Sequence, residues 1–190
     1  MAMPMAEIGL ADKVVRLHQA LDAAAVPHAF GGALALAYYG EPRVTVDIDV
    51  NVFVEPSRYG ELRGVLEPLG VGAGPTSEWV AEEGQARLWW GRNPVDLFFA
   101  HDPVHDAMRR AARTVPFGQD EIPVLGPEHL LVVKVVFNRA KDWLDIEQML
   151  LMVPALDLDE VHRWLEHLLG PGDGRSERLR GLEAGLLGRP

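Results

Sequence analysis

Two aspartates separated by a single residue are the first feature of this sequence that could carry chemistry. The stretch TVDIDVNVFV, residues 45–54, is apolar at every second position, which is typical of a half-buried β-strand. Asp47 and Asp49 share its polar face and lie about 6–7 Å apart. Their charges repel unless something positive lies between them. The pair therefore predicts either an Mg²⁺ site completed by substrate phosphates or a solvated face paired with lysine or arginine.

A third aspartate, Asp96, lies inside the apolar stretch PVDLFF, residues 94–99. Its apolar neighbours predict that it is the most desolvated of the three acids. No fixed cation is evident in the sequence near Asp47 and Asp49. A buried aspartate needs a partner or a metal. If this strand neighbours residues 45–54, all three carboxylates converge. Two metal ions held by shared carboxylates would then suit an in-line displacement at phosphorus.

A pair of glycines, Gly31 and Gly32, lies between the strand-like HAF and the helix-like GGALALAYYG, residues 31–40. At that position the pair exposes backbone N–H groups at the start of a helix, which favours a phosphate. The same pair also fits a tight turn from strand to helix with no ligand. The glycines alone do not decide between the two interpretations.

Charged residues recur in the second half of the chain. Lys134 lies within the apolar helical stretch LLVVKVVF, so its ammonium group should reach a cleft or extend to the surface. Lys141 and Asp145 have the i,i+4 spacing of a helical ion pair, and Asp142 could cap the start of the same helix.

The elements that must position these residues suggest an α/β chain with a helical C-terminal section. Helices are predicted over 6–25, 31–40, 56–70 and 102–113, and residues 71–78 read as a loop. ARLWW and VDLFFA predict two strands around the turn GRNP, and RTVPFG and EIPVLG predict a hairpin. We expect one domain over 1–126 and a helical section over 127–190 packed on it.

Composition narrows the class of protein. The 190 residues carry 18 basic and 28 acidic side chains, a net charge of −10, which argues against broad nucleic-acid binding through bulk charge. The absence of cysteine excludes disulfides and thiolate metal sites. No apolar run approaches the about 20 residues of a membrane span, and the N-terminus lacks the pattern of a signal peptide. We expect a cytoplasmic protein with no membrane partner.

The run GGALALAYYGEPRVTVDIDVNVFV resembles the signature of the polymerase-beta-like nucleotidyltransferase superfamily. That signature is a small-residue pair opening a helix, a strand with two aspartates, and a third acid on a nearby strand. The arrangement is most similar to the AbiEii-like nucleotidyltransferase toxins of bacterial abortive-infection and toxin–antitoxin systems, and KVVFNRAKDWLDIEQML extends the likeness. The departure is Gly32, where many superfamily members carry a serine.

The resemblance implies a mixed sheet flanked by helices and gives roles to individual residues. Asp47 and Asp49 would be metal ligands, and Asp96 would be the third ligand and the base for the acceptor hydroxyl. Gly31 and Gly32 would approach the nucleotide. The resemblance also implies that Lys134 and Lys141 contact the triphosphate and that Asp145 orients one of these lysines. Arg43 would contact a phosphate or form a surface salt bridge.

The activity implied is transfer of a nucleoside monophosphate from an NTP to an acceptor hydroxyl, with Mg²⁺-dependent loss of pyrophosphate, through two ions. The toxin-like group implies a tRNA or another macromolecule as acceptor, and a cognate antitoxin as partner. The acidic composition favours a small acceptor instead, as in the lincosamide- and aminoglycoside-type antibiotic nucleotidyltransferases. A non-catalytic binding module with the same fold is the alternative from another class of protein.

Overall fold

A computed structural model describes residues 8–188. This part of the chain forms nine α-helices and seven β-strands. The strands are β1 (His28–Phe30), β2 (Ile48–Val52), β3 (Val71–Gly72), β4 (Gln85–Trp90), β5 (Asn93–Phe99), β6 (Arg113–Phe117) and β7 (Asp120–Val124). The helices are α1 (Leu10–Ala23), α2 (Gly32–Leu36), α3 (Tyr59–Leu66), α4 (Ser77–Glu83), α5 (Pro103–Ala111), α6 (Pro127–Phe137), α7 (Ala140–Met152), α8 (Leu158–Leu169) and α9 (Gly174–Leu187).

All seven strands belong to one mixed sheet in the order β3-β4-β5-β2-β1-β7-β6. The hairpins β4–β5 and β6–β7 are antiparallel, as the turn residues between them predict. At the centre, β2 runs parallel to β5 and antiparallel to β1. The α/β class expected from the sequence is therefore confirmed, and the two aspartate-bearing strands are neighbours.

Several predicted boundaries differ from the structure. The strand predicted over 45–54 is shorter, so Asp47 lies immediately before β2 rather than within it. The prediction that residues 71–78 form a loop is wrong, because this segment contains β3 and the start of α4. Thr76 caps the N-terminus of α4. The segment 56–70 begins and ends in 3₁₀ turns around α3. Helix α1 begins at Leu10, and the start predicted at residue 6 falls outside the described residues.

The helical section begins at α6. This helix is apolar around most of its circumference and packs against α7, α8 and α9, which explains why it is buried. It also contacts α2, the short helix that follows the glycine pair. Lys134 is therefore a charged residue in a buried helix that lies beside the glycine pair. None of the helices in residues 8–188 is both long and apolar enough to cross a membrane.

Candidate active site

The register of β2 and β5 places Asp49 directly opposite Asp96 on neighbouring parallel strands. Adjacent strands are about 4.8 Å apart, so the two carboxylates meet across a single strand spacing. Asp47 lies two residues before Asp49 and is held by Thr45, whose Oγ1 accepts a hydrogen bond of 3.2 Å from the Asp47 amide. One strand pair thus brings Asp49 and Asp96 side by side, and Asp47 immediately precedes β2.

The pKa of the Asp49 carboxyl is shifted by its surroundings. Burial raises the pKa of its carboxyl, and the negative charges of Asp96 and Asp47 raise it further. The positive charges of Arg139 and Lys141 act in the opposite direction. Among the described residues no side chain hydrogen-bonds to this carboxylate. Asp49 is therefore a partly buried acid whose negative charge is repelled by its neighbours, which favours the arrival of a cation.

The glycine pair lies against the same carboxylate. The Gly31 amide donates a hydrogen bond of 2.9 Å to the backbone carbonyl of Asp49, which ties the start of α2 to β2. Gly32 has a φ of +53°, and a Cβ atom there would overlap Oδ2 of Asp49. A serine would therefore be both strained and in collision with Asp49. The departure from the superfamily pattern at Gly32 follows from this close approach.

Asp96 is paired with an arginine that the sequence analysis did not predict. Arg87 faces it across the β4–β5 hairpin, and its Nε and Nη2 atoms each donate a hydrogen bond of 2.7 Å to the carboxylate. The side chain of Arg87 is 57% exposed and that of Asp96 is 14% exposed. The expectation that no fixed cation lies near the acids was wrong. The acid whose pKa is raised is Asp49.

The strand register of the β4–β5 hairpin predicts the pairing of Arg87 with Asp96 that was missed. Trp90 pairs with Asn93 at the turn, and counting back along both strands brings Arg87 opposite Asp96. In the same strand Trp90 is buried and Trp89 is exposed, as expected for adjacent residues that point to opposite faces.

Lys134, Asp145 and Arg43 form one charged cluster. Lys134 is only 3% exposed, and its Nζ atom lies 2.6 Å from Oδ2 of Asp145. The same oxygen accepts a hydrogen bond of 3.3 Å from Nη2 of Arg43. Asp145 therefore orients two cations, of which Lys134 lies on the preceding helix and Arg43 lies 102 residues earlier in the sequence. Lys141 is exposed and forms no ion pair with Asp145 in the described part of the chain, so the helical pair considered for them does not form.

Arg139 is a second basic residue that the sequence analysis missed. It caps α7 and donates hydrogen bonds to the fully buried Asp142, with 2.6 Å from Nε to Oδ2. Its guanidinium also lies 4.7 Å from the centre of the Phe137 ring. Since its charge acts on Asp49, Arg139 belongs to the site even though it is bound elsewhere. Its position two residues before Lys141, at the predicted helix start, was the available signal.

Two hollows meet at Asp49. One has a volume of about 200 Å³ and is bounded by Gly31, Gly32, Asn51 and the apolar residues of α5 and α6. The other has a volume of about 260 Å³ and contains Asp96 and Arg87, with Trp79 at its edge. Phe98 and Phe137, whose rings are in edge-to-face contact, line both. The acids thus lie at the junction between two places where parts of a ligand could bind.

The carboxylate oxygens of Asp47, Asp49 and Asp96 suit a hard cation such as Mg²⁺ only in part. Asp47 and Asp49 offer oxygen ligands, and Mg²⁺ is usually held by one or two carboxylates together with substrate phosphates. Within residues 8–188, however, no three acidic or histidine side chains are gathered closely enough to hold a metal by themselves. Because both oxygens of Asp96 are bonded to Arg87, the residues fit a metal that arrives with a phosphate ligand.

Comparison with known proteins finds similar solved structures but no matching family model. No protein-family model matches the chain, and no curated protein sequence matches it. Among solved structures, the antibiotic-resistance factor ANT(2'')-Ia superposes with a TM-score of 0.59 at 16% identity, covering 94% of this chain and 97% of that one. A second structure of ANT(2'')-Ia, with adenylyl-2''-tobramycin, gives 0.53 at 17% identity over the same shares.

Two further structures agree with that likeness. The lincosamide antibiotic adenylyltransferase LnuA, with lincomycin bound, has a TM-score of 0.53 at 12% identity and covers 73% of this chain and 94% of that one. A putative nucleotidyltransferase from Thermotoga maritima has a TM-score of 0.51 at 17% identity, with 82% and 92% covered. The chain has a nucleotidyltransferase-like fold. The expected fold is therefore confirmed, whereas the narrower resemblance to AbiEii-like toxins depends on the sequence motifs alone.

Proposed function

We propose that the protein is an enzyme that transfers a nucleoside monophosphate from an NTP to an acceptor hydroxyl. The observation that carries the proposal is the pairing of Asp49 opposite Asp96, with the glycine pair and basic residues on one side and a separate hollow on the other. The acceptor oxygen forms a bond to the α-phosphorus. The bond to the bridging oxygen breaks, and pyrophosphate leaves with that electron pair.

The donor triphosphate is assigned to the side of Asp49 that faces Gly31 and Gly32. Because Gly31 and Gly32 have no side chains, they do not cover the backbone N–H groups at the start of α2. Lys134 and Arg139 line the same hollow. Arg43 lies in the same charged cluster, and Lys141 is exposed at the start of α7. These groups would orient a polyanion and stabilise the charge that the pyrophosphate gains as it leaves. Lys134 keeps its direction because Asp145 holds it.

The acceptor is assigned to the hollow that contains Asp96. In this position Asp96 would accept the proton of the attacking hydroxyl. Because both of its oxygens are bonded to Arg87, the guanidinium must first turn aside or share the carboxylate. Arg87 is more than half exposed, so such a movement breaks an ion pair of the weak, solvent-screened kind.

The metal proposed for the site is Mg²⁺, with Asp47 and Asp49 as ligands of one ion and Asp96 as a further ligand for a second. When bound with the nucleotide, Mg²⁺ supplies positive charge that offsets the carboxylates and the phosphates. The mutual repulsion of the acids at Asp49 supports this proposal.

Two classes of acceptor are supported by different observations. The motif resemblance to AbiEii-like toxins supports a toxin that modifies tRNA or another macromolecule and is restrained by a cognate antitoxin in the cytoplasm. The structural neighbours ANT(2'')-Ia and LnuA, whose structures hold an adenylylated tobramycin and a lincomycin, support a small antibiotic as the second candidate. The limited volume of the hollow at Asp96 agrees with a small acceptor or with the end of a larger one.

Incubation of the protein with Mg²⁺ and each α-labelled NTP tests the proposal. Total tRNA, a cell lysate, and a set of tobramycin, lincomycin and related antibiotics serve as separate acceptor pools. We expect one pool to become labelled with release of pyrophosphate, and Asp49→Asn to abolish the labelling. Asp120→Asn, which changes an exposed aspartate at the start of β7, is the matched control and should label normally. Nucleotide binding without label in any pool would favour the non-catalytic binding module.

A further inference from the structure

A separate hollow, the α5–α8 hollow, lies between one face of α5 and one face of α8. Its volume is about 490 Å³, which falls within the range of about 300–1,000 Å³ typical of pockets that hold a small ligand. None of its lining residues lines either hollow at Asp49. The α5–α8 hollow is therefore distinct from the candidate active site.

Helical spacing brings the lining residues of the α5–α8 hollow together. Ala107, Arg110 and Ala111 share one face of α5. The facing side of α8 carries Glu160, Arg163, Trp164 and His167. The two helices are tied at the start of α5, where Nε2 of His167 lies 3.0 Å from Oδ2 of Asp102, the N-cap residue. The hollow is thus formed by two helices that are already joined.

Two arginines in this hollow have no anionic partner. Within residues 8–188, neither Arg110 nor Arg163 forms an ion pair or a hydrogen bond, and both are exposed. The one carboxylate among the lining residues, Glu160, accepts a hydrogen bond of 3.3 Å from Nε1 of Trp164. The same carboxylate oxygen lies 3.6 Å from Nε2 of the buried His129. Glu160 is therefore held at the wall, and the two guanidinium groups are left to attract an anion.

Trp164 gives the hollow an aromatic wall with a fixed orientation. Its indole N–H is bonded to Glu160, and its ring meets the ring of His167 edge to face, with 5.7 Å between the ring centres. The indole is only partly buried, so part of its surface can receive a ligand. A side chain that is already oriented loses little freedom on binding, and a flat ring can stack on it.

We propose that the α5–α8 hollow binds a small aromatic phosphate, with the phosphate between Arg110 and Arg163 and the ring against Trp164. A guanidinium presents its N–H donors in a planar fork that matches two phosphate oxygens. A phosphate monoester carries a charge of about −2 at pH 7, which two arginines can offset. A carboxylate carries one charge and uses this pair less fully. The assignment does not depend on the proposed nucleotidyl transfer.

Calorimetric titration of the protein with phenyl phosphate in EDTA tests this site, because EDTA keeps metal away from the aspartates. The wild type should bind it saturably and more tightly than benzoate. Arg110→Gln and Arg163→Gln should each weaken phenyl phosphate about tenfold or more, since each removes charge-assisted hydrogen bonds. Arg63→Gln changes an exposed arginine on α3 and is the matched control, with an expected change of less than about twofold.

A second pair of variants tests the place of the ring. Trp164→Leu should weaken phenyl phosphate about threefold to tenfold and leave inorganic phosphate within about twofold, whereas Trp164→Phe should retain most of the affinity for both. Thermal unfolding shows which variants are folded, and the exposed arginine variants test the site even if Trp164→Leu is not.

Three results would overturn the assignment. The first is the absence of saturable binding of phenyl phosphate by the wild type. The second is an equal effect of Arg63→Gln and the two lining-arginine variants, or no effect of the latter. The third is benzoate binding as tightly as phenyl phosphate, or equal weakening of both phosphates by a folded Trp164→Leu.

Discussion

Arg87 and Asp96 face each other across the β4–β5 hairpin and are joined by two hydrogen bonds of 2.7 Å. The pair occupies both oxygens of the acid that the proposed chemistry needs as base and metal ligand. A guanidinium group thus neutralises Asp96 in the same place where a metal would. The competition between the two cations can be measured.

Replacing Arg87 with glutamine should make the site easier to load with metal. With the guanidinium gone, Asp96 is free to ligate, so the Mg²⁺ concentration for half-maximal nucleotide binding should fall several-fold. The free energy of unfolding should change by about 0–1 kcal/mol, because the guanidinium of Arg87 is more than half exposed to solvent. A magnesium titration of nucleotide binding measures the first quantity and urea denaturation the second. An unchanged or higher magnesium requirement would show that Arg87 does not compete for Asp96.

Gly32→Ala should damage the site and the fold together. The added Cβ overlaps the Asp49 carboxylate, and φ at this residue is +53°. We expect a loss of about 1–3 kcal/mol in the free energy of unfolding and loss of transfer. Gly64→Ala in α3, where an added Cβ meets open space, is the matched control. It should be neutral or stabilise by up to about 1 kcal/mol. Equal behaviour of the two variants would contradict the close approach of Gly32 and Asp49.

Lys134→Met should leave Asp145 buried with only Arg43 as its cation. Removing one partner of a buried ion pair costs about 3–5 kcal/mol, so stability should fall sharply. Nucleotide affinity should fall more than Mg²⁺ affinity. The double variant Lys134→Met with Asp145→Leu removes the buried carboxylate that has lost its closest cation and should recover part of the stability without recovering nucleotide affinity. Recovery of both in the double variant, or unchanged affinity in the single one, would reduce Lys134 to a structural residue.

Buried histidines predict that the fold weakens on mild acidification. Burial lowers the pKa of His129 from 6.5, and neither of its ring nitrogens has a hydrogen-bond partner within residues 8–188. Nearby Glu160 and Glu128 raise this pKa, and Arg110 lowers it, but burial is the largest cause. Burial likewise lowers the pKa of His28 and of His105.

The direction of the effect follows from where protons bind. Below pH 6.5 the unfolded chain protonates His129 while the folded chain does not, so the free energy of unfolding falls as the pH decreases toward the folded-state pKa. One such group contributes at most about 1.4 kcal/mol per pH unit, and it contributes nothing well above pH 6.5. Urea denaturation at pH 7.5 and 5.5 should show a smaller loss for His129→Leu than for the wild type. An equal loss in the two proteins would contradict the burial of a neutral His129.

Much of the fold and part of the site could be predicted from the sequence. The alternation around Asp47 and Asp49, the hairpin turn before Asp96 and the glycine pair are local signals, and they led to the correct strands and sheet. The short helix α4 was missed because it follows a run rich in glycine and proline. The contact of Asp145 with Arg43 could not be predicted, because the two residues lie 102 positions apart and meet only in the folded chain. The contact of Asp145 with Lys134 agrees with the orienting role that the family resemblance implies.

The proposed site separates two roles, nucleotide binding near Asp49 and proton transfer at Asp96. Asp96→Asn keeps the size of the side chain and removes its capacity to accept a proton. We predict that this variant binds the donor NTP with Mg²⁺ within about threefold of wild type and transfers the label at least about a hundredfold more slowly, since a general base contributes about 10²–10⁴ in rate. Transfer at the wild-type rate by Asp96→Asn would contradict the account and leave PVDLFF as an ordinary core strand.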